Sequence, residues 1–188
     1  MEIGFGNGSF LRFAKDKGCN ITGIEIIPEL IRRAKEKNFE VYSDINELPE
    51  NSKFNVIVLF DVLEHISQDE ISDFLTNLNK LLKINGTLIL RTPNGSSPFG
   101  LTNQHGDTTH CTVVTGPKLD YWAQNTGFKL EFVGGDPYII YEGKISKVIS
   151  RLIRRILYLF IERLTRWIFA PQSKGFLTSN LFAVLKKK

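Results

Sequence analysis

The chain has 188 residues, 42% of them hydrophobic, which fits one globular domain. Its two cysteines, Cys19 and Cys111, are too few for a disulfide framework and fit a reducing cytoplasm. The sequence opens without a signal-peptide pattern and contains no apolar run long enough to span a bilayer. We therefore expect neither a disulfide-stapled secreted protein nor an integral membrane protein.

The net charge of +4 hides an asymmetry along the chain. Residues 144–188 contain eleven Lys and Arg and a single acid, Glu162, whereas the residues before them carry a net charge of −6. Such segregation predicts a basic surface that meets an anionic partner.

The first ten residues, MEIGFGNGSF, predict the end of a strand, a glycine turn and the start of a helix near Ser9. Alternating glycines let the backbone turn sharply and approach a ligand, and the helix offers free N–H groups to an anion. The spacing is Gly-x-Gly-x-Gly, so the dinucleotide fingerprint Gly-x-Gly-x-x-Gly is not met. Glu25 ends the next predicted strand, about twenty residues on, where a ribose-binding carboxylate is expected.

Strand and helix patterns then alternate along the chain. The nearly continuous apolar run Phe54–Phe60 predicts a central parallel strand buried on both faces. Ser67–Glu70 predicts a capping box for a helix that ends at Asn85-Gly86, and residues 180–185 predict a last strand. The alternation predicts an α/β fold with a doubly wound, mostly parallel sheet.

Three motifs occur in order, Glu-Ile-Gly-Phe-Gly-Asn-Gly from Glu2, Gly-Ile-Glu from Gly23, and Asp-Val-Leu-Glu-His from Asp61. Together they resemble the class I S-adenosylmethionine-dependent methyltransferases over roughly residues 1–132; the alternative is a tight turn in another α/β protein. The resemblance implies a Rossmann-like methyltransferase fold. Because family members usually carry a helical segment and a longer strand before the glycine turn, we expect that the chain is truncated at its N-terminus. We expect a methyltransferase core over 1–143, a basic helix over 144–170 and a final core strand within 175–188.

The resemblance also implies which residues contact the cofactor, S-adenosylmethionine. They are Glu2, Gly4, Phe5, Gly6, Asn7, Gly8, Glu25, Ile26, Asp44, Ile45, Asp61 and Leu63. Glu2 and the turn backbone should face the methionine part, and Glu25 should accept hydrogen bonds from both ribose hydroxyls. Asp44 should meet the adenine amino group.

The resemblance implies finer roles for the rest of this set. Ile26 and Ile45 should pack on the adenine ring, while Asp61 and Leu63 should frame the methionine side through backbone contacts. Glu64 and His65 either belong to the site or merely order the loop before the next helix.

The polar stretch His105–Thr112 follows the fifth predicted strand and should overhang the transferred methyl group. A hydroxyl acceptor benefits from a base, and histidine titrates in the useful range. We predict His110 as that base, with His105 as the reserve. The alternative is that these side chains only hydrogen-bond the loop. The His-x-Asp-x-x-His spacing is too weak a pattern on a loop to predict a metal, so we predict no metal ligands.

The stretch Lys144–Phe169 contains no Gly or Pro and predicts one long amphipathic helix with a basic side. It fits packing on its own domain or in a homodimer, and it equally fits an interfacial helix on an anionic membrane. Nucleic acid is the weakest alternative, because exposed aromatics are not interleaved with the basic residues.

The sequence thus predicts a bacterial methyltransferase in the cytoplasm, which lies on the inner face of the membrane if the basic helix is interfacial. We expect methyl transfer to a hydroxyl of a surface-glycan precursor, a lipid-linked intermediate or another small molecule. The alternatives are a quinone-ring methyltransferase and a nucleotide-binding module without catalysis.

Overall fold

A computed structural model describes residues 1–135, 145–169 and 177–188. These residues form a seven-stranded sheet in the order β3-β2-β1-β4-β5-β7-β6, in which β7 runs antiparallel to both of its neighbours. The other pairings are parallel. The predicted doubly wound, mostly parallel sheet is therefore confirmed.

Strands and helices alternate along the sequence as predicted. The strands are β1 (Glu2–Ile3), β2 (Thr22–Ile24), β3 (Glu40–Tyr42), β4 (Phe54–Phe60), β5 (Leu82–Pro93), β6 (Phe128–Gly135) and β7 (Asn180–Lys187). The α-helices are α1 (Ser9–Asp16), α2 (Pro28–Glu36), α3 (Ile71–Leu81), α4 (Leu101–His105), α5 (Gly116–Asn125) and α6 (Ile145–Phe169). Short 3-10 helices follow β3 at Ile45–Glu47 and β4 at Leu63–His65.

The predictions for the two ends of α3 are wrong in detail. The Ser67 hydroxyl donates to the Glu70 carboxylate at 2.6 Å instead of capping a backbone amide, and the helix begins only at Ile71. Asn85-Gly86 does not end the helix but lies within β5, with Asn85 at φ 58°. The pairing of β4 with β5 shifts register between Phe54 and Val56, and this irregularity accommodates the extra residues.

The central strand β4 is buried over its second half only. Ile57, Val58 and Leu59 are buried, whereas Asn55 and Val56 are exposed, so the prediction of burial along the whole strand is wrong. β1 pairs with β4 at Val58 and Leu59, and the Met1 amino group donates to the Val56 carbonyl at 2.9 Å, so among the described residues the β1 side of β4 is covered from Val56 onward.

The core lies mainly where β4 and β5 meet α3 and α5. It includes fully buried leucines such as Leu75 and Leu88, each of which contributes about 1.5–3 kcal/mol by leaving water. A smaller cluster of Phe5, Leu11, Ala34 and Val41 secures α1 and α2 on the other part of the sheet. These two clusters hold the carboxyl ends of β1, β2, β4 and β5 along one edge, which we call the carboxyl edge.

The long helix α6 is present, although Lys144, its predicted first residue, lies outside the described residues, as do the ends of its predicted domain. No side chain of α6 is buried. Within the described part of the chain, no helix combines the length and the apolar composition needed to cross a membrane.

Candidate active site at the carboxyl edge of the sheet

The glycine turn joins β1 to α1, and its glycines adopt positive φ angles of 69° at Gly4, 51° at Gly6 and 74° at Gly8. A Cβ atom on Gly4 would lie 2.5 Å from Val62 Cγ2, so the turn packs tightly on the residues after β4. A Cβ on Gly6 would meet no other atom within 4 Å, which means that open space lies in front of the turn. The turn therefore offers bare backbone to a ligand.

Glu25, directly after β2, is bound to this turn. One carboxylate oxygen accepts the Gly6 N–H at 2.8 Å, and the other accepts the N–H groups of Ile26 and Ile27 at 2.9 and 3.2 Å. These bonds use three of roughly four acceptor positions of a carboxylate. Two ribose hydroxyls would therefore have to displace or share at least one backbone bond.

Glu2 in β1 is buried, and its Oε2 has no hydrogen-bond partner among the described residues. Burial raises the pKa of Glu2 to about 7; the nearby Glu25 charge raises it further, while the chain's amino group and the Leu11 N–H oppose the rise. A cationic group beside Glu2 would favour the ionised carboxylate. This residue therefore fits the ammonium group of a methionine moiety.

Several of the predicted cofactor residues offer backbone rather than side chain. The Phe5 side chain packs in the core, and Leu63 is fully buried. The Asn7 side chain accepts hydrogen bonds from the N–H and hydroxyl of Ser9 at 3.1 and 2.7 Å, which orders the start of α1. Ile26, by contrast, is 82% exposed and free to cover an aromatic ring.

The remaining predicted cofactor residues lie at the ends of β3 and β4. Asp44 is exposed and accepts from the N–H and side-chain amide of Asn46 at 2.7 and 2.6 Å, and the neighbouring Ile45 is partly buried against the core. Asp61 has φ 57° and forms an ion pair with Arg91 of β5. The fold thus brings all of these residues to the carboxyl edge, but Asp61 already has a partner.

The end of the polar stretch His105–Thr112 is hydrogen-bonded to the 3-10 helix Leu63–His65 and to the residue after it. The N–H groups of Cys111 and Thr112 both donate to the Glu64 carbonyl at 3.0 Å, and the Thr112 hydroxyl donates to the Ile66 carbonyl at 2.7 Å. The residues after β4 and the residues near His110 therefore form one unit, although more than forty positions separate them in the sequence.

The two predicted catalytic histidines differ in their surroundings. His110 is half-buried, its Nδ1 lies 3.1 Å from the Gln104 carbonyl, and its ring meets that of His65 with centroids 4.6 Å apart. His105 is exposed at the end of α4. The Asp107 carboxylate lies 3.9 Å from His110 Nε2, and hydrogen bonds from the Thr109 hydroxyl and N–H hold the pKa of Asp107 below its ordinary value.

Glu64 and His65, whose roles the sequence did not decide, lie together with His110 on the acceptor side of the site. Glu64, His65 and His110 each place one oxygen or nitrogen within 4.8 Å of the others. Glu64 is fully buried, and burial is the main reason why its pKa is raised to about 6; its own N–H, the Thr92 hydroxyl and His110 lower the pKa, and the Asp61 charge raises it. The signal was visible as Glu-His directly after a central strand, but local sequence could not place it beside His110.

A depression lies at the glycine turn, between α1 and α2. The turn residues Phe5–Gly8 line it on one side, and Arg12, Arg33, Lys37 and Phe39 line it on the other. Arg33 also binds Glu29 at 2.8 Å. The depression therefore shares the glycine turn with the candidate cofactor site and extends from it toward α2.

The sequence of the chain matches a known protein family. A family model described as a methyltransferase domain matches residues 1–132, and the chain belongs to this family. The chain is 30% identical over 101 residues to the ubiquinone biosynthesis O-methyltransferase of Rickettsia akari. That match covers 50% of this chain and 39% of the relative, so the chain spans less than half of the relative's length.

Solved structures agree with the fold. The chain superimposes on a SAM-dependent methyltransferase from Archaeoglobus fulgidus with a TM-score of 0.71 and 25% identity, over 99% of this chain and 84% of that one. An S-adenosylmethionine-dependent methyltransferase from Mesorhizobium loti gives a TM-score of 0.65 at 14% identity, with 99% and 89% coverage. The second likeness concerns the fold alone.

Proposed function

We propose that the protein transfers the methyl group of S-adenosylmethionine to a hydroxyl oxygen. The observation that carries this proposal is the hydrogen bond between Gly6 N–H and the Glu25 carboxylate, which joins the glycine turn to the acid after β2. Open space in front of Gly6 and the unpartnered Glu2 oxygen fit the rest of the cofactor. Membership of the methyltransferase domain family supports the same assignment.

The transfer breaks the bond between sulfur and the methyl carbon and forms a bond from that carbon to the acceptor oxygen. The electron pair of the broken bond stays on sulfur and leaves S-adenosylhomocysteine, and the hydroxyl proton needs a base. His110 fits that role: a carbonyl oxygen can only accept, so the contact with Gln104 places the proton on Nδ1 and leaves the Nε2 lone pair available.

The acceptor class stays a proposal with two candidates. Our first expectation from the sequence is a surface-glycan precursor or lipid-linked intermediate. The name of the Rickettsia akari relative, a ubiquinone biosynthesis O-methyltransferase, favours the quinone-type acceptor. The quinone-ring alternative leaves the acceptor atom open, and the relative's name favours oxygen, for which the site chemistry proposed here applies to both candidates.

Calorimetric titration and a labelling assay test the two parts of this proposal. S-Adenosylhomocysteine should bind with micromolar affinity and raise Tm, since a ligand that binds only the folded state stabilises it. Gly6→Val should remove both effects, because a side chain there enters the open space and is strained at φ 51°. Lys129→Gln, at an exposed residue of β6 away from the turn, is the control. A folded parent protein without affinity for the cofactor would refute the function.

Labelled S-adenosylmethionine then identifies the acceptor. The protein is incubated in parallel with a cell-envelope extract and with catechol-type phenols, and the labelled product is isolated. Label in a glycan or lipid-linked fraction supports the first candidate, and label on the phenols supports the second. Cofactor binding without a labelled product would instead favour the non-catalytic module.

We further propose that α6 attaches the protein to an anionic membrane. On α6 the partly buried residues form a stripe that includes Arg151, Arg155 and Glu162. Most of the apolar residues of the helix are exposed. The outward apolar residues are Ile145, Ile149, Leu152, Ile153, Ile156, Leu157, Leu159, Phe160, Ile161, Leu164, Trp167, Ile168 and Phe169. This orientation is the reverse of a helix that packs on its own core. Exposed Lys147, Arg154 and Arg163 accompany the apolar face and suit anionic headgroups.

Flotation with anionic and neutral liposomes tests the attachment. The parent should float with anionic liposomes and lose part of this binding at high salt, because salt screens charges but not apolar burial. Combined Ile149→Asp and Leu152→Asp should abolish flotation, whereas Ile84→Asp, an equally drastic change at an exposed isoleucine of β5, should not. A folded parent that stays at the bottom and runs as a dimer in light scattering would assign this face to a second copy.

A further inference from the structure

We propose that Glu64, His65 and His110 bind a divalent transition-metal cation on the acceptor side of the site. Their ligand atoms all lie within 4.8 Å of one another, and the set combines one carboxylate with two imidazoles. Two histidines and one carboxylate, with other positions left open, form a recognised pattern for such ions. Their spacing in the sequence, Glu-His and then a histidine on another loop, does not reveal this grouping.

An independent observation points to a missing partner at this place. Glu64 is 0% exposed, and the groups that approach its carboxylate are its own N–H and the Thr92 hydroxyl, neither of which forms a hydrogen bond of full geometry. The buried Gln104 Oε1 has no hydrogen-bond partner among the described residues. A buried charge without a partner is costly, and a bound cation would compensate it.

The hydrogen bonds around the histidines hold both rings ready as ligands. The Thr109 hydroxyl donates to Asp107 at 2.7 Å, so it can only accept from His65 Nδ1, which lies 2.9 Å away. His110 Nδ1 likewise faces a carbonyl oxygen, that of Gln104. In both rings the proton therefore sits on Nδ1 and the Nε2 lone pair is available, which is the usual arrangement of metal-binding histidines.

The ligand set favours ions that accept both nitrogen and oxygen. Two of the three ligands are imidazoles, which suit Zn²⁺, Co²⁺ and Fe²⁺ better than the oxygen-preferring Mg²⁺ and Ca²⁺. The role of the ion rests on the proposed function: bound to the acceptor hydroxyl, it lowers the hydroxyl pKa so that the proton passes to water before methyl transfer. His110 then acts as a ligand rather than as the base.

Titration of the tag-free, chelator-treated protein with Co²⁺ and Mg²⁺ tests the site. Co²⁺ should bind once per chain, with a visible absorption spectrum that reports nitrogen ligands, and Mg²⁺ should bind far more weakly. Glu64→Gln and His110→Ala should each weaken Co²⁺ binding at least about 100-fold, above the 10–100-fold typical of outer-shell partners. Circular dichroism and Tm establish that each variant is folded.

Two matched variants separate a built site from chance binding. His105→Ala removes an exposed histidine at the end of α4 and should leave Co²⁺ affinity unchanged. Thr109→Val should weaken binding about tenfold by releasing the His65 ring, while Thr109→Ser should restore it. Co²⁺ affinity that stays within twofold of the parent in Glu64→Gln and His110→Ala, or no Co²⁺ binding by the parent, would overturn the proposal.

These outcomes are independent of cofactor binding. A protein that binds S-adenosylhomocysteine but not Co²⁺ refutes the metal site and leaves the methyltransferase assignment standing. A protein that binds Co²⁺ through the three residues but shows no affinity for S-adenosylhomocysteine does the reverse.

Discussion

On the cofactor side of the carboxyl edge, the Glu25 carboxylate accepts three backbone N–H groups, whereas on the acceptor side the Glu64 carboxylate accepts no hydrogen bond of full geometry from the described residues. Both acids are buried and both follow a parallel strand. The Glu25 carboxylate is hydrogen-bonded by backbone N–H groups around it. The position of Glu64 is fixed by the two N–H groups that donate to its backbone carbonyl. The acid at the glycine turn is therefore satisfied by the fold itself, whereas Glu64, like the Glu2 Oε2 atom on the cofactor side, leaves hydrogen-bonding capacity for a ligand.

The largest effect that separates the two sides should come from His110→Ala. Turnover should fall by about 10²–10⁴-fold, because the Nε2 group at the acceptor is lost as base or as metal ligand. Affinity for S-adenosylhomocysteine should stay within about twofold, since His110 contacts Gln104 and His65 and not the glycine turn. Parallel kinetics and calorimetry measure the two quantities. Near-full turnover would make His110 structural, with proximity alone driving transfer.

Glu25→Ala should have the next largest effect, now on the cofactor side. S-Adenosylhomocysteine affinity should fall by about 1–3 kcal/mol, the scale of leaving hydrogen-bond donors unpaired. Tm without ligand should fall as well, because Gly6 and the two residues after Glu25 lose their acceptor. Glu40→Ala, at a mostly exposed acid of β3, serves as the control. An unchanged affinity would discard the ribose assignment and leave Glu25 as a turn anchor alone.

The two sides of the site also differ in how far the local sequence predicts the contacts between their residues. The glycine turn and Glu25 lie within one strand-turn-helix-strand unit, so local spacing placed them correctly beside each other. Glu64 and His110 meet only because the loop before α5 lies across the 3-10 helix after β4, held by the Glu64 carbonyl. Nothing in the local pattern of either segment specifies that contact.

One further error also originates in tertiary context. Ser67 and Glu70 have the residue types of a capping box, but their side chains bind each other. For α6 the sequence predicts an amphipathic helix but does not decide which side is covered; in the structure Arg151 and Arg155 are partly buried, whereas most apolar side chains of the helix are exposed.

Glu64→Gln should change how the free energy of unfolding depends on pH. Burial raises the folded-state pKa of Glu64 from its ordinary value of 4.5 to about 6. The folded state therefore carries a penalty that is fully present above pH 6 and disappears as the pH falls toward 4.5. In a chelator, the variant should be more stable than the parent by about 1–2 kcal/mol at pH 8 and nearly equal to it at pH 4.5.

Urea unfolding at several pH values, with and without Co²⁺, measures this difference. Added Co²⁺ should stabilise the parent and not the variant, which reverses their order at pH 8. Glu70→Gln, at the exposed acid that binds Ser67, should show no comparable dependence on pH. A parent that is the more stable protein at pH 8 in chelator would mean that the Glu64 carboxylate is already compensated.

The smallest effect is expected for Asp44, the outermost acid of the cofactor side. Its carboxylate accepts both the N–H and the side-chain amide of Asn46, so the folded protein already uses it to cap the 3-10 helix Ile45–Glu47. Asp44→Ala should weaken S-adenosylhomocysteine binding by about 0.5–1 kcal/mol, since a single exposed hydrogen bond to the adenine amino group contributes little in water. Asp44→Asn keeps an acceptor oxygen for the two Asn46 bonds but replaces the second carboxylate oxygen with an NH2 donor, so it should not recover the loss. Calorimetry with S-adenosylhomocysteine and with an analogue that lacks the amino group measures the difference: the variant and the parent should bind the analogue equally well. A weaker affinity of Asp44→Ala for the analogue too would show that Asp44 acts only by ordering the turn that carries Ile45.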